Sequence, residues 1–141
     1  MKARSLILTV FGLLVAISID AQEADFVVQT GHSSGVRSLK FSHSGKLVAS
    51  GGEDNNVVLW DIESGRQLRL LSGHQDIVNQ VLFSGDDKTV FSCSDDKRII
   101  QWDVFTGEIV KEWSASEKVT SIALSEDGAV LFFTAVDLYT L

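Results

Sequence analysis

Residues 31–72 can be laid over residues 73–114 at an offset of 42 without a gap, and 13 positions are then identical. They include Gly31 and Gly73, His32 and His74, Ser50 and Ser92, Asp54 and Asp96, Trp60 and Trp102, and Asp61 and Asp103. A third copy starts near residue 114 at an offset of 41, where Val119, Leu124 and Ser125 answer Val78, Phe83 and Ser84. A unit of this length cannot bury its own apolar face, so the repeat requires neighbouring units to stack on one another.

Within each copy the apolar residues fall in runs of about five between turn residues, with no helical spacing at i, i+3, i+4 and i+7. The unit reads as four strands, which predicts an all-β chain. In the first copy the strands fall at 36–41, 46–50, 56–61 and 67–71, with turns at 42–45, 51–55 and 63–66. In the second they fall at 78–83, 89–93, 98–103 and 108–113. Residues 26–30 stand before Gly31-His32 as residues 67–71 stand before Gly73-His74, and are read as a further fourth strand.

Each copy carries a Gly-His pair and, 28 residues after the histidine, a Trp-Asp pair, Trp60-Asp61 or Trp102-Asp103. With a period inside about 40–45 residues, these pairs resemble the WD-repeat family. The resemblance covers residues 26–141 and implies a β-propeller segment over 22–141. It would hold two and a half to three blades of four antiparallel strands, an incomplete propeller with repeats at 31–72, 73–113 and, unfinished, 114–141. It also implies a buried hydrogen-bonded tetrad in each regular blade: His32, Ser50, Asp54 and Trp60, then His74, Ser92, Asp96 and Trp102. The third copy has Ala115, Phe133 and Asp137 in the His, Ser and Asp places, so its tetrad is broken. In such propellers the residue before the tetrad Asp, here Glu53 and Asp95 with Val136 in the third copy, often meets partners on the loop rim. Arg37 and Asn79, at the start of the first strands, are its expected neighbours.

His, Ser and Asp together invite comparison with a catalytic triad, but two sets 42 residues apart fit a recurring strut better than one catalytic centre. Gly31-His32-Ser33-Ser34-Gly35 matches the G-x-S-x-G nucleophile elbow, which needs a strand, a sharp turn and a helix. Here the next segment, 36–41, has the pattern of another strand. No catalytic residue is therefore assigned. With His32 and His74 in the struts and His43 alone in a turn, no metal site is expected, and no cofactor motif appears. Glu53-Asp54, Asp86-Asp87 and Asp95-Asp96 lie in strand-to-strand turns, where acidic residues bond the local backbone.

The first 21 residues differ from the rest. Lys2 and Arg4 precede an uncharged stretch of 15 residues, 5–19, shorter than the about 20 that span a bilayer. This is the pattern of a signal peptide cleaved after Ala21, which makes the mature chain exported, periplasmic or extracellular. Retention as a membrane anchor is the rival reading. Cleavage leaves 10 basic and 18 acidic side chains, a net −8, whose field repels nucleic acid and anionic lipid. Cys93 is the lone cysteine, so no intrachain disulfide can form, and it reads as a small buried hydrophobe.

The expected function is an exported scaffold that binds a protein or peptide on its rim, without catalysis of its own, without nucleic acid, and off the membrane once cleaved. The alternative is the propeller part of a secreted hydrolase, lyase or dehydrogenase whose active site lies in other blades or an attached domain. Two blades and part of a third cannot close a ring. The expectation is therefore a longer chain, a ring shared by several copies, or a remnant, with self-association through open strand edges.

Overall fold

The computed structural model describes residues 31–126 and 128–135, together with the backbone alone of two earlier strands. These two, β1 (Leu14–Asp20) and β2 (Glu23–Gln29), pair antiparallel from Asp20 opposite Glu23 to Leu14 opposite Gln29. The second of them contains most of the fourth strand expected at 26–30. Residues 1–13, 21–22, 30, 127 and 136–141, and with them much of the proposed signal segment, lie outside the description.

From residue 36 onward the chain forms two antiparallel meanders and an antiparallel pair of strands. β3 (Val36–Phe41), β4 (Leu47–Gly52), β5 (Asn56–Asp61) and β6 (Gln67–Ser72) form one four-stranded sheet in sequence order. A second four-stranded sheet repeats it with β7 (Val78–Phe83), β8 (Thr89–Ser94), β9 (Arg98–Asp103) and β10 (Ile109–Ser114). The third pairs β11 (Val119–Leu124) with β12 (Leu131–Ala135). No described residue is helical. The fold is all-β, with the four-stranded blades of a propeller that these sheets do not close into a ring. The expected turn at 51–55 is shorter than the sequence suggested, because β4 runs on through Gly52.

The core lies between blades rather than within them. Ala49, Val57, Leu59 and Leu71 of the first blade meet Val78, Val81, Phe83, Val90, Ile100 and Trp102 of the second. On the other side of the second blade, Leu82, Phe91, Cys93 and Ile99 pack with Val119 and Ile122 of the third sheet. Period-two alternation explains the division: Val81 and Phe83 point one way along β7 and Leu82 the other. A sheet covered on both faces buries residues of both parities, and in β8 five of six residues are buried. Cys93 is fully buried, as read from the sequence, and burial pushes its thiol up to about 12. It is inert at neutral pH.

The first strand of each sheet carries an irregularity at the same place: between Val36 and Ser38, between Val78 and Gln80, and between Val119 and Ser121. A bulge leaves one residue out of the ladder and re-aims its side chain. The residues left out are Arg37, Asn79 and Thr120.

Candidate functional site

The structure brings each expected tetrad together. In the first blade His32 Nδ1 lies 2.9 Å from Asp54 Oδ1 and His32 Nε2 lies 2.8 Å from Ser50 Oγ, to which Trp60 Nε1 donates at 2.8 Å. The second blade repeats the distances: His74 Nδ1 to Asp96 at 2.9 Å, His74 Nε2 to Ser92 Oγ at 2.8 Å, and Trp102 Nε1 to Ser92 Oγ at 2.8 Å. The polarity follows from what each group can donate. The carboxylate only accepts, so Nδ1 carries the proton; Nε2 is then an acceptor, and the serine hydroxyl donates to it while receiving the indole N–H.

The sequence builds this contact from two loops and two strands at once. The histidine precedes the first strand, the serine sits in the second, the aspartate in the turn after it and the tryptophan in the third. Ser50 lies opposite Val58 and Ser92 opposite Ile100 across the second and third strands. The glycine before each histidine makes room for the indole: a Cβ at Gly73 would stand 2.8 Å from Trp102 Cη2, and one at Gly31 would meet the Trp60 ring.

Burial pushes the Asp54 carboxyl up, but hydrogen bonds from His32 and from the Ser33 N–H outweigh it and hold the group below the ordinary carboxylate range. Asp96 is held down in the same way, against burial, by the Gln75 N–H, His74 and Arg98. Desolvation lowers His74, with Asp96 partly opposing, so its imidazole is neutral at neutral pH. No buried side-chain nitrogen or oxygen among the described residues lacks a hydrogen-bond partner.

In the third sheet Phe133 stands in the serine place on β12, half exposed, and Ala115 in the histidine place, so no such network forms there. Asp137 and Val136 lie outside the described residues. After Gly31-His32-Ser33-Ser34-Gly35 the chain enters β3, a strand, and not the helix that a nucleophile elbow requires. The Ser33 N–H is bonded to Asp54 at 2.8 Å.

The four rim residues also come together, in pairs set by the bulges. Arg37 reaches Glu53 at 2.8 Å, and Asn79 donates to Asp95 at 2.6 Å and to the Val119 carbonyl at 3.0 Å. Lys118 of the third sheet closes on the other oxygen of Asp95 at 2.8 Å. Asp95 is thus held from two sheets, and against burial Lys118 and Asn79 keep its carboxyl below the ordinary range, with Arg37 adding its field. Arg37 and Lys118 remain half exposed, whereas Asp95 is mostly covered.

Sequence reasoning missed the ties between blades. Ser38 Oγ accepts the Val81 N–H at 3.2 Å, and one repeat later Gln80 Oε1 accepts the Ile122 N–H at 2.9 Å. Asp87 reaches back to the first blade, accepting the N–H groups of His43 at 2.7 Å and Ser44 at 2.8 Å. Positions 38 and 80 are equivalent in the repeat, but Ser and Gln differ, so identity between copies gave no signal for them.

The family description "WD domain, G-beta repeat" matches residues 26–61 and 65–103, more than half of the chain. The anaphase-promoting complex subunit cdc20 of Dictyostelium discoideum is 54% identical over 35 residues, 25% of this chain and 7% of that protein. The vegetative incompatibility protein HET-E-1 of Podospora anserina is 41% identical over 56 residues, 38% of this chain and 4% of that protein. The chain thus spans only a small part of either relative. Among solved structures, the β-propeller domain of Cps50 (Swd1) from Myceliophteria thermophila superimposes with a TM-score of 0.69 at 25% identity, over 73% of this chain and 33% of that one. Two matched repeats, two superimposable tetrads and a shared propeller fold make this chain a member of the WD-repeat family.

Proposed function

We propose that this chain is part of an exported WD-repeat scaffold that binds a protein or peptide partner on the rim formed by Arg37, Glu53, Asn79 and Asp95. Members of the family generally serve as protein-interaction scaffolds, and the rim is where this chain departs from pure architecture. The observation that carries the reading is the bulge at the head of each first strand, which turns Arg37 and Asn79 out of the ladder onto the acidic residues beside the tetrads. Rigid strands hold these side chains in place, so a partner meets a preformed charge pattern and loses little entropy in ordering it. Export rests on the basic start and apolar run of residues 1–21, and the absence of catalysis on the strut-like use of both His-Ser-Asp sets. A polypeptide limited to these blades associates with itself through its open strand edges.

The test is recovery of partners from the envelope fraction with the full-length protein and with an Arg37→Glu, Asn79→Arg double variant. A partner retained by the native rim and lost with the variant supports the reading. Recovery that ignores the substitutions overturns it. The intact mass of the protein from its own host decides the export step: loss of residues 1–21 supports it, and their retention refutes it.

A further inference from the structure

The antiparallel order of the strands puts the tetrads and the Glu53–Asp95 rim at one end of the blades and the turns after β3, β7 and β11 at the other. Successive sheets meet at two joints, and the repeat sets equivalent positions at both. At the tetrad end of the first joint, Gly51 lets Val78 close on the first blade, since a Cβ there would stand 2.6 Å from Val78 Cγ1. Midway, Ser38 Oγ accepts the Val81 N–H at 3.2 Å. At the opposite end, Asp87 accepts the His43 and Ser44 N–H groups at 2.7 and 2.8 Å. A groove of about 540 Å³ opens there, and Asp87 on its wall bridges it. The first joint is thus held at both ends and in the middle.

The second joint is held in the middle and at the tetrad end. Midway, Gln80 Oε1 accepts the Ile122 N–H at 2.9 Å and the Ser121 hydroxyl at 2.8 Å. At the tetrad end, Asn79 Nδ2 spends one hydrogen on Asp95 Oδ1 and the other on the Val119 carbonyl, while Lys118 takes the second oxygen of Asp95. Cys93 and Val119, both fully buried, pack in the same joint. The bond to Val119 is to main chain, so the second blade grips the third sheet by its backbone as well as by Lys118.

At the opposite end the residue equivalent to Asp87 is Gly128, which has no side chain to reach back with. The main chain is alike, with φ of 58° at Asp87 and 72° at Gly128, so what is missing is the carboxylate. Where the clasp would close, a groove of about 470 Å³ separates the sheets. Beyond Phe91 and Leu124, which pack with the core cluster, the side chains lining it are polar and include the carboxylates of Asp86 and Glu126. Such groups keep their water in an open groove, and two carboxylates do not draw its walls together.

A joint bonded in the middle and at one end, and solvated at the other, has the geometry of a hinge. We propose that the third sheet is hinged on the second blade: Asn79 and Asp95 latch it at the tetrad end, and it swings about that latch so that the groove beside Gly128 widens and closes. The first two blades, clasped by Asp87, move as one body. The hinge does not depend on whether the rim binds a partner.

Spin labels on the full-length protein test this. Positions 46, 88 and 129 are equivalent and exposed in successive sheets, and Cys93 is buried, so the native thiol takes no label. Lys46→Cys with Lys88→Cys spans the first joint, and Lys88→Cys with Ala129→Cys spans the second. The distance distribution across the second joint should be at least about twice as broad as that across the first. Gly128→Asp supplies the missing carboxylate where an added Cβ meets nothing within 4 Å, and aspartate tolerates this backbone. It should narrow the second distribution to about the width of the first. Asn79→Ala with Lys118→Ala opens the latch and should speed amide exchange in β11 about tenfold, while unchanged exchange in β3 to β6 reports that the variant is folded. Equal widths at the two joints, no narrowing with Gly128→Asp, or unchanged β11 exchange in the double variant would each overturn the proposal.

Discussion

Ser92 is fully buried where three side chains meet: it receives the Trp102 N–H, gives its proton to His74, and is closed to the solvent that could replace either. Truncation to alanine removes one hydroxyl but orphans two groups, so Ser92→Ala should cost about 1–3 kcal/mol in urea unfolding. A cost near zero would mean that the network contributes no stability. Lys97 presents the opposite case, a residue against its backbone. It holds φ at 67°, as Asn55 does at the equivalent place in the first blade, in the left-handed region that a lysine adopts at a cost of roughly 1–2 kcal/mol. Its ammonium contacts, the Ser116 carbonyl at 2.9 Å and Glu117 at 3.4 Å, are exposed and return little. Lys97→Asn should therefore raise stability by about 0.5–1 kcal/mol, read as a higher urea midpoint. At this scale much was legible in advance, because the family resemblance implied the tetrad members, and in both copies they stand as identities. The strain at Lys97 was not, since a lysine in a turn looks like any solvated charge.

Among elements, the turn between the first and second strands of each sheet shows how a repeat can hold its geometry and change its use. Gly45, Asp87 and Gly128 occupy equivalent places and all have positive φ, 68°, 58° and 72°. Only the second carries a side chain, and it spends that side chain on the neighbouring blade. Burial works against the Asp87 carboxylate, yet the Ser44 and His43 N–H groups hold it down to about 2. Asp87→Asn keeps a residue that tolerates left-handed backbone but weakens two charge-assisted bonds, so it should cost about 1 kcal/mol. Amide exchange should accelerate at His43 and Ser44 while the second blade keeps its protection; unchanged exchange would show that the tie does no work. From residue 36 onward, strand positions in the two full copies were readable from short apolar runs between turn residues to within a residue or two. The bulges that turn out Arg37 and Asn79 were not, since a bulge is defined by its partner strand and leaves no fixed residue type.

For the whole molecule, the pH dependence at and below neutrality has one sign. His74 lies below its free value of 6.5, and Asp54, Asp87, Asp95 and Asp96 lie below 3.8. In every case the folded chain binds fewer protons than the unfolded one over the interval between the two values. The associated stability is complete above the unfolded value and is lost as pH falls through the folded one. Urea midpoints should be flat from about pH 8 to 7, decline gently below 6.5 as unfolded His74 takes up a proton, and fall more steeply below about 4. His74→Gln should remove the gentle limb and leave the steep one. A midpoint that rises on acidification would contradict this account.

The sequence by itself determined the repeat, the all-β class and the four-strand unit, while the members of both tetrads were implied by the resemblance to the WD-repeat family that the repeated Gly-His and Trp-Asp pairs carry. Each of these is a local pattern or an identity copied at a fixed spacing, and neither depends on what packs against it. Only the tertiary structure decided how the copies are tied together and which apolar residues are covered. Val81 and Phe83 are buried at 1% and 4% by the first blade, while Leu39 and Phe41, their equivalents on β3, stand 54% and 65% exposed. All four are apolar residues on the same face of equivalent strands, and their burial differs because it belongs to the pair of blades and not to either one.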